Sequence, residues 1–230
     1  IYFSRPDSIV GGLSVYECRK SFGRQLAKES HVNADIIIPV PDSGVPAAIG
    51  YAEASKIPFE LGMIRNHYVG RTFIEPQQSI RALSVKLKHN ANRILVGGKK
   101  VVLVDDSIVR GTTSIRIVEM LRDVGAKEVH MRIAAPPITH PDFYGIDTPV
   151  QEDLLASGNS LEEMCQYIGA DSLAFLSVNG LYQAMGHKEG RNANDPAYTD
   201  HCFTGDYPTA LKDQKSDDRI QQLSLLSDRR

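Results

Sequence analysis

The sequence predicts an α/β fold with a mainly parallel central sheet flanked by helices. Three observations carry that expectation. Short apolar runs of strand length alternate with amphipathic stretches of helix length along most of the chain. The segments "KVVLVDD", Thr113 to Val124 and "EVHMRIAAPP" read as strand, helix and strand, and such a crossover enforces parallel pairing. The third is an acidic pair, Asp105 and Asp106, directly after four apolar residues. That is the carboxyl end of a strand, where open α/β sheets bind their ligands.

Each element follows in chain order. Residues 1 to 12, "IYFSRPDSIVGG", carry turn chemistry and read as a lead-in. Ser14 to Ser30 has helical periodicity, with Tyr16, Phe22, Leu26 and Ala27 on the inner face. "DIIIPVP" is a short apolar run ended by prolines, a buried strand. Asp42 and Ser43 then stand where N-caps belong, ahead of the alanine-rich helix in "DSGVPAAIGYAEASK". "FELGMIR" reads as a strand running into a loop. After the βαβ unit, residues 148 to 168 suit a helix, with Ser160 and Glu163 spaced as a capping box. "ADSLAFLSV" is the last strand, and Leu181 begins a short helix. From Lys188 onward the chain is polar and turn-rich. The expected organisation is one domain over residues 1–208 and a loosely packed tail over 209–230.

Composition narrows the function classes. The 230 residues are 42% hydrophobic and 23% charged, ordinary values for a globular protein with a substantial core. A net charge of -2 gives no reason to expect nucleic acid or an anionic membrane as partner. No apolar run reaches the roughly 18 residues of a membrane span. The 3 cysteines, Cys18, Cys165 and Cys202, are far apart with no CxxC pair, which argues against a disulfide framework or a thiolate zinc site and fits a reducing cytoplasm. The 7 histidines show no metal-ligand spacing. Charge is local instead: residues 65 to 100 hold 8 Lys or Arg against the single acid Glu75.

The stretch "VVLVDDSIVRGTTS" concentrates the chemistry. Carboxylates at a strand end accept hydrogen bonds from sugar hydroxyls or hold a divalent cation through water. Arg110 to Thr113 lead into a helix whose N-terminal N–H groups and dipole favour an anion. Gly111 permits close backbone approach, and Ser107, Thr112, Thr113 and Ser114 add hydroxyls. A single aspartate in such a place is an ordinary helix cap. Two in a row followed by R-G-T-T point to a ligand with vicinal hydroxyls one sugar length from a phosphate, a ribose 5-phosphate. No Walker P-loop and no GxGxxG is present.

"VVLVDDSIVRGTT" resembles the phosphoribosylpyrophosphate-binding motif of type I phosphoribosyltransferases. It has the form carried by the glutamine phosphoribosylpyrophosphate amidotransferase family. "PDSGVPAAIGYAEASKIPFELGMIRNHYVGRTFIEPQQSIR", "PPITHPDFYGID" and "CFTGDYP" resemble the same family, in order, from about Ile1 to Pro208. The resemblance implies the type I phosphoribosyltransferase fold with a flexible lid loop. It implies conversion of phosphoribosylpyrophosphate and ammonia to phosphoribosylamine and pyrophosphate, the first committed step of purine synthesis. Asp42 to Pro46 match the pyrophosphate loop, with Asp42, Ser43 and Gly44 as substrate-binding positions, and Ser43, Asp105 and Asp106 match the magnesium positions. Ser107, Arg110, Gly111, Thr112 and Thr113 match the sugar-phosphate loop. The basic stretch resembles the lid, placing Tyr68, Arg71 and Thr72 on it, with Arg71 beside Asp105 and Asp106 in a catalytic role.

The resemblance also implies purine nucleotides as inhibitors and a homo-oligomer. Two departures bear on chemistry. The family's glutaminase half, with its N-terminal catalytic cysteine, has no counterpart in these residues, so ammonia rather than glutamine is the expected nitrogen donor. Asp142 in "HPDFYGID" stands where cluster-bearing members have cysteine, and "NANDPAYTDH" has none, so no iron–sulfur cluster is expected. Two alternatives remain: a sensing module that binds phosphoribosylpyrophosphate or purine nucleotides without turnover, and a purine-salvage transferase.

Overall fold

A computed structural model describes residues 4–66, 89–146, 148 and 150–211. The chain opens in a hairpin of β1 (Ile9–Val10) and β2 (Leu13–Ser14). Its turn is Gly11–Gly12, both at positive φ, so the turn chemistry read in the lead-in belongs to a hairpin. Helix α1 (Val15–Glu29) starts at Ser14, whose hydroxyl accepts from the Glu17 N–H. There follow β3 (Ile36–Pro39), α2 (Val45–Ser55), β4 (Met63–Arg65), β5 (His89–Ala91) and α3 (Arg93–Val96). The second half holds β6 (Lys100–Asp105), α4 (Thr112–Asp123), β7 (Glu128–Ile133), α5 (Leu161–Ile168) and β8 (Ser172–Phe175). Two short helices, α6 (Val178–Ala184) and α7 (His201–Thr204), close the described chain.

The central sheet is parallel throughout, in the order β3-β6-β7-β8. Its strands are apolar on both faces because both faces are covered. Val102 and Val104 of β6, with Ile37 of β3, pack under Phe22 and Leu26 of α1 and Ala47, Ala48 and Tyr51 of α2. Val101 and Leu103 turn the other way, onto Ile117, Val118 and Leu121 of α4 and Met164 and Ile168 of α5. The expected α/β class is thus a three-layer arrangement. No helix among the described residues is long and apolar enough to cross a membrane.

Glycine sets the spacing of one layer. A Cβ on Gly23 of α1 would lie 1.9 Å from the Ala47 carbonyl oxygen, and one on Gly50 of α2 would lie 1.9 Å from the Lys20 carbonyl oxygen. The two helices therefore cross nearly backbone to backbone. That contact brings α1 alongside the loop that precedes α2.

Four local expectations change. Phe59 forms only an isolated parallel bridge with Ile37, and Met63–Arg65 pairs antiparallel with His89–Ala91 in a separate ladder. Of residues 148 to 168 only Leu161–Ile168 is an α-helix, preceded by a 3-10 turn at Gln151–Asp153. Gly158 sits at positive φ and the Ser160–Glu163 capping box starts the helix afresh, which breaks the longer pattern. The last expected helix begins at Val178 rather than Leu181, because Ser177 caps it. Neither Asp42 nor Ser43 caps α2, whose N-cap is Gly44 with no side-chain hydrogen bond. Most of the expected tail, 212–230, lies outside the described residues, although Thr209 bonds the Tyr144 hydroxyl.

Candidate functional site

Asp105 closes β6 and Asp106 follows it, and both are buried, at 8% and 9% exposure. The Asp105 carboxylate accepts from the Asp106 N–H at 2.8 Å and from the Ser43 hydroxyl at 3.3 Å. Asp106 accepts from the Ser107 hydroxyl at 3.2 Å. Burial and the neighbouring Asp106 charge push the Asp105 carboxyl well above the usual range, and the two hydrogen bonds offset only part of that. Burial also raises Asp106, opposed first by the positive charge of Arg19 and then by Ser107. The pair is under-compensated for anions. A site of that kind favours a bound cation or hydroxyl donors.

Ser43 reaches Asp105 because β3 and β6 are adjacent and parallel, so their carboxyl-end loops lie side by side. The Val40 N–H donates to the Val104 carbonyl at 2.8 Å, continuing the ladder, and the chain then turns through a cis Pro41–Asp42 peptide. Gly44 donates to the Val40 carbonyl at 2.9 Å and presses against β6, where a Cβ would fall 2.3 Å from the Val104 carbonyl oxygen. Only glycine fits. The Asp42 carboxylate points outward and pairs with Arg65 at the end of β4, while His89 Nε2 of β5 lies 3.4 Å from the Pro41 carbonyl oxygen. The β4–β5 ladder is thereby tied to this loop.

The second loop runs from Ser107 to the start of α4. Gly111 is its N-cap at φ 75°, with no side-chain cap, and a Cβ there would meet Leu155 Cδ2 at 2.7 Å. Left-handed backbone and crowding both demand glycine. Thr112 and Thr113 are exposed in the first turn of α4, next to N–H groups that have no intrahelical partner. Arg110 is exposed and 3.6 Å from Asp153, a loose surface pair.

The fold thus gathers Asp42, Ser43, Gly44, Asp105, Asp106, Ser107, Arg110, Gly111, Thr112 and Thr113 at the carboxyl ends of two neighbouring strands. Tyr68, Arg71 and Thr72, with the expected lid, lie outside the described residues. Arg19 was not among the residues expected from the sequence. It is 4% exposed, and its guanidinium donates to the carbonyls of Ser43 at 3.4 Å and Ser4 at 2.8 Å. Its signal was legible: it lies three residues before Phe22, on the apolar stripe of α1.

Two features lie elsewhere. Asp142, His201 and Cys202 bring ligand-type atoms within 4.8 Å of one another, so the histidines are not all remote from other ligand types. The Asp142 carboxylate accepts from His201 Nε2 at 2.7 Å and from the N–H groups of Tyr144 and Ile146. This closes a buried lock between the 142–146 turn and α7. A largely apolar cavity of about 670 Å³ lies between the β1–β2 hairpin, α1, α6 and the segment leading to α7. Arg19 lines it; Asp105 and Asp106 do not.

A parallel sheet with an acidic pair at one strand end, a glycine loop beside it and a hydroxyl-rich helix start is the architecture of a phosphoribosyltransferase. Residues 20–136 match the family model for the phosphoribosyl transferase domain, and the chain belongs to that family. Within it, the chain is 63% identical to the amidophosphoribosyltransferase of Rhizobium etli, over 99% of this chain and 46% of that protein. It is 57% identical to the amidophosphoribosyltransferase of Bacillus subtilis, over 92% of this chain and 44% of that protein. The solved structure of glutamine phosphoribosylpyrophosphate amidotransferase from B. subtilis, complexed with ADP and GMP, matches with a TM-score of 0.82 at 56% identity. That match covers 92% of this chain and 46% of that one. The expected type I phosphoribosyltransferase fold is the fold found. The chain spans about half the length of the curated relatives it matches.

Proposed function

We propose that the chain carries the ribosyl-transfer half of an amidophosphoribosyltransferase, joining ammonia to the sugar of phosphoribosylpyrophosphate. The observation that carries this reading is the buried Asp105–Asp106 pair beside the Asp42–Gly44 loop and the start of α4. In the reaction the bond between C1 of the ribose and the pyrophosphate oxygen breaks with its electron pair. Ammonia nitrogen bonds C1 and then loses a proton. Asp105 and Asp106 accept hydrogen bonds from the ribose hydroxyls, and the N–H groups and hydroxyls at Ser107 and Arg110 to Thr113 receive the 5-phosphate. The Asp42–Gly44 loop receives the pyrophosphate. Positioning and charge stabilisation do the work, so no protein nucleophile is needed.

The donor set fits magnesium. Two carboxylates and the Ser43 hydroxyl are hard oxygen ligands, and a dication relieves the repulsion and burial that push the Asp105 carboxyl upward. When bound, magnesium supplies charge neutralisation for the leaving pyrophosphate. The same reading makes residues 1–208 the catalytic domain and 209–230 a tail. It places the chain in the cytoplasm as part of a homo-oligomer, with a glutaminase half as ammonia source. Purine nucleotides are its inhibitors, a class to which the ADP and GMP of the B. subtilis structure belong.

The test is pyrophosphate release by the purified chain with magnesium, phosphoribosylpyrophosphate and ammonia. Release with ammonia supports the reading. Binding without turnover would favour a sensing module, and turnover only with hypoxanthine would favour a salvage transferase.

A further inference from the structure

We infer that Arg19 is a positioning residue for the phosphate-side loop: its guanidinium, reaching from α1 beneath the site, holds the Ser43 peptide in its ligand-receiving orientation. The inference rests on the function proposed above. Three observations carry it. Arg19 is buried on the sheet-facing stripe of α1, where a charge is costly unless its hydrogen bonds are specific. Its Nη1 and Nη2 donate to the carbonyls of Ser43 and Ser4, so one rigid fork spans the loop and the segment ahead of β1. The near-contact of α1 and α2 at Gly23 and Gly50 fixes α1 against the helix that this loop begins.

The consequences converge on Ser43. A peptide plane has its carbonyl and the next N–H pointing opposite ways. Holding the Ser43 carbonyl toward Arg19 therefore sets the Gly44 N–H toward the Val40 carbonyl, as observed, and leaves the Ser43 hydroxyl free to swing to Asp105. Arg19 need not touch the substrate to do this.

The experiment compares the 230-residue chain with its R19Q and R19K variants by calorimetric titration of magnesium phosphoribosylpyrophosphate and by ammonia-dependent pyrophosphate release. R19Q is expected to weaken binding and raise KM by roughly tenfold or more, as loss of a charge-assisted contact does, with kcat changed less. R19K keeps the charge and is expected to recover most of the affinity. Unchanged affinity in R19Q, while the unmodified chain binds, overturns the role of Arg19 alone. Parallel loss of melting temperature and kcat in both variants at constant KM also overturns it, as does failure of both to fold, since each makes Arg19 purely architectural. No binding by the unmodified chain overturns the proposed function and this inference together.

Discussion

At the residue scale, burial decides how the charged groups behave. Asp105 and Asp106 are buried beside each other, and their mutual repulsion is only partly relieved without a ligand. Asp105→Asn and Asp106→Asn are therefore each expected to weaken magnesium phosphoribosylpyrophosphate binding without lowering the melting temperature of the empty protein. Calorimetry beside a thermal melt checks both halves, and unchanged affinity in the two variants would sink the site assignment. Asp200 is the opposite case. Burial pushes its carboxyl up, but hydrogen bonds from Arg191 and Tyr182 more than offset this, so its pKa lies below the usual value. A depressed carboxylate contributes stability above its unfolded pKa, and that contribution is lost as pH falls through the folded value. Asp200→Asn is expected to cost about 1 to 2 kcal/mol at pH 7, because the nearly buried Arg191 loses its buried partner and keeps only the exposed Asp206. The gap to the unmodified chain should narrow below about pH 4. Melts at both pH values read it directly, and a gap that stays constant with pH would refute the assignment.

At the element scale, the close crossing of α1 and α2 and the restart of α5 invite separate tests. In an isolated helix Gly→Ala gains about 1 kcal/mol. At Gly23 the added Cβ would sit 1.9 Å from a backbone oxygen, which no rotamer change relieves. Overpacking then outweighs propensity, and Gly23→Ala is expected to lose about 2 kcal/mol or more. The denaturant midpoint should fall; a rise would mean that the helices can separate freely. Helix α5 depends on its capping box, in which the Ser160 hydroxyl accepts from the Glu163 N–H and the Glu163 carboxylate accepts from the Ser160 N–H. Ser160→Ala is expected to cost about 1 kcal/mol. Loss of hydrogen-exchange protection confined to α5 would identify the cap as the cause.

For the whole molecule, the parallel sheet is what makes a site from distant segments. Ser43 and Asp105 are 62 residues apart, yet they meet because β3 and β6 run side by side in one direction. Nitrogen chemistry belongs to this scale too. Glutamine hydrolysis needs an activated thiolate. Here burial raises the Cys18 and Cys165 thiols instead, and Cys202 is buried in the lock with Asp142 and His201. The purified chain is expected to make phosphoribosylamine from ammonia but not from glutamine. The rate at fixed total ammonia should climb with pH as the unprotonated fraction grows. Glutamine-dependent turnover by the chain itself would contradict this.

The sequence by itself determined the four strands of the central sheet, helices α1, α2 and α4 and the acidic and hydroxyl-rich loops, because each is a local pattern. Four apolar residues followed by Asp105–Asp106 can be read without neighbours, and so can Ser14 ahead of a 3.6-residue period. Only the tertiary structure decided which loops share a site. It also decided that Ser43 turns to Asp105 instead of capping α2, and that Asp142 meets His201 across 59 residues. Those outcomes depend on strand order and on how closely helices approach, and such long-range contacts leave no periodic trace in the chain. Arg19 stands between the two cases: a charge on an apolar stripe was visible, but its partners were set by the crossing of α1 over α2.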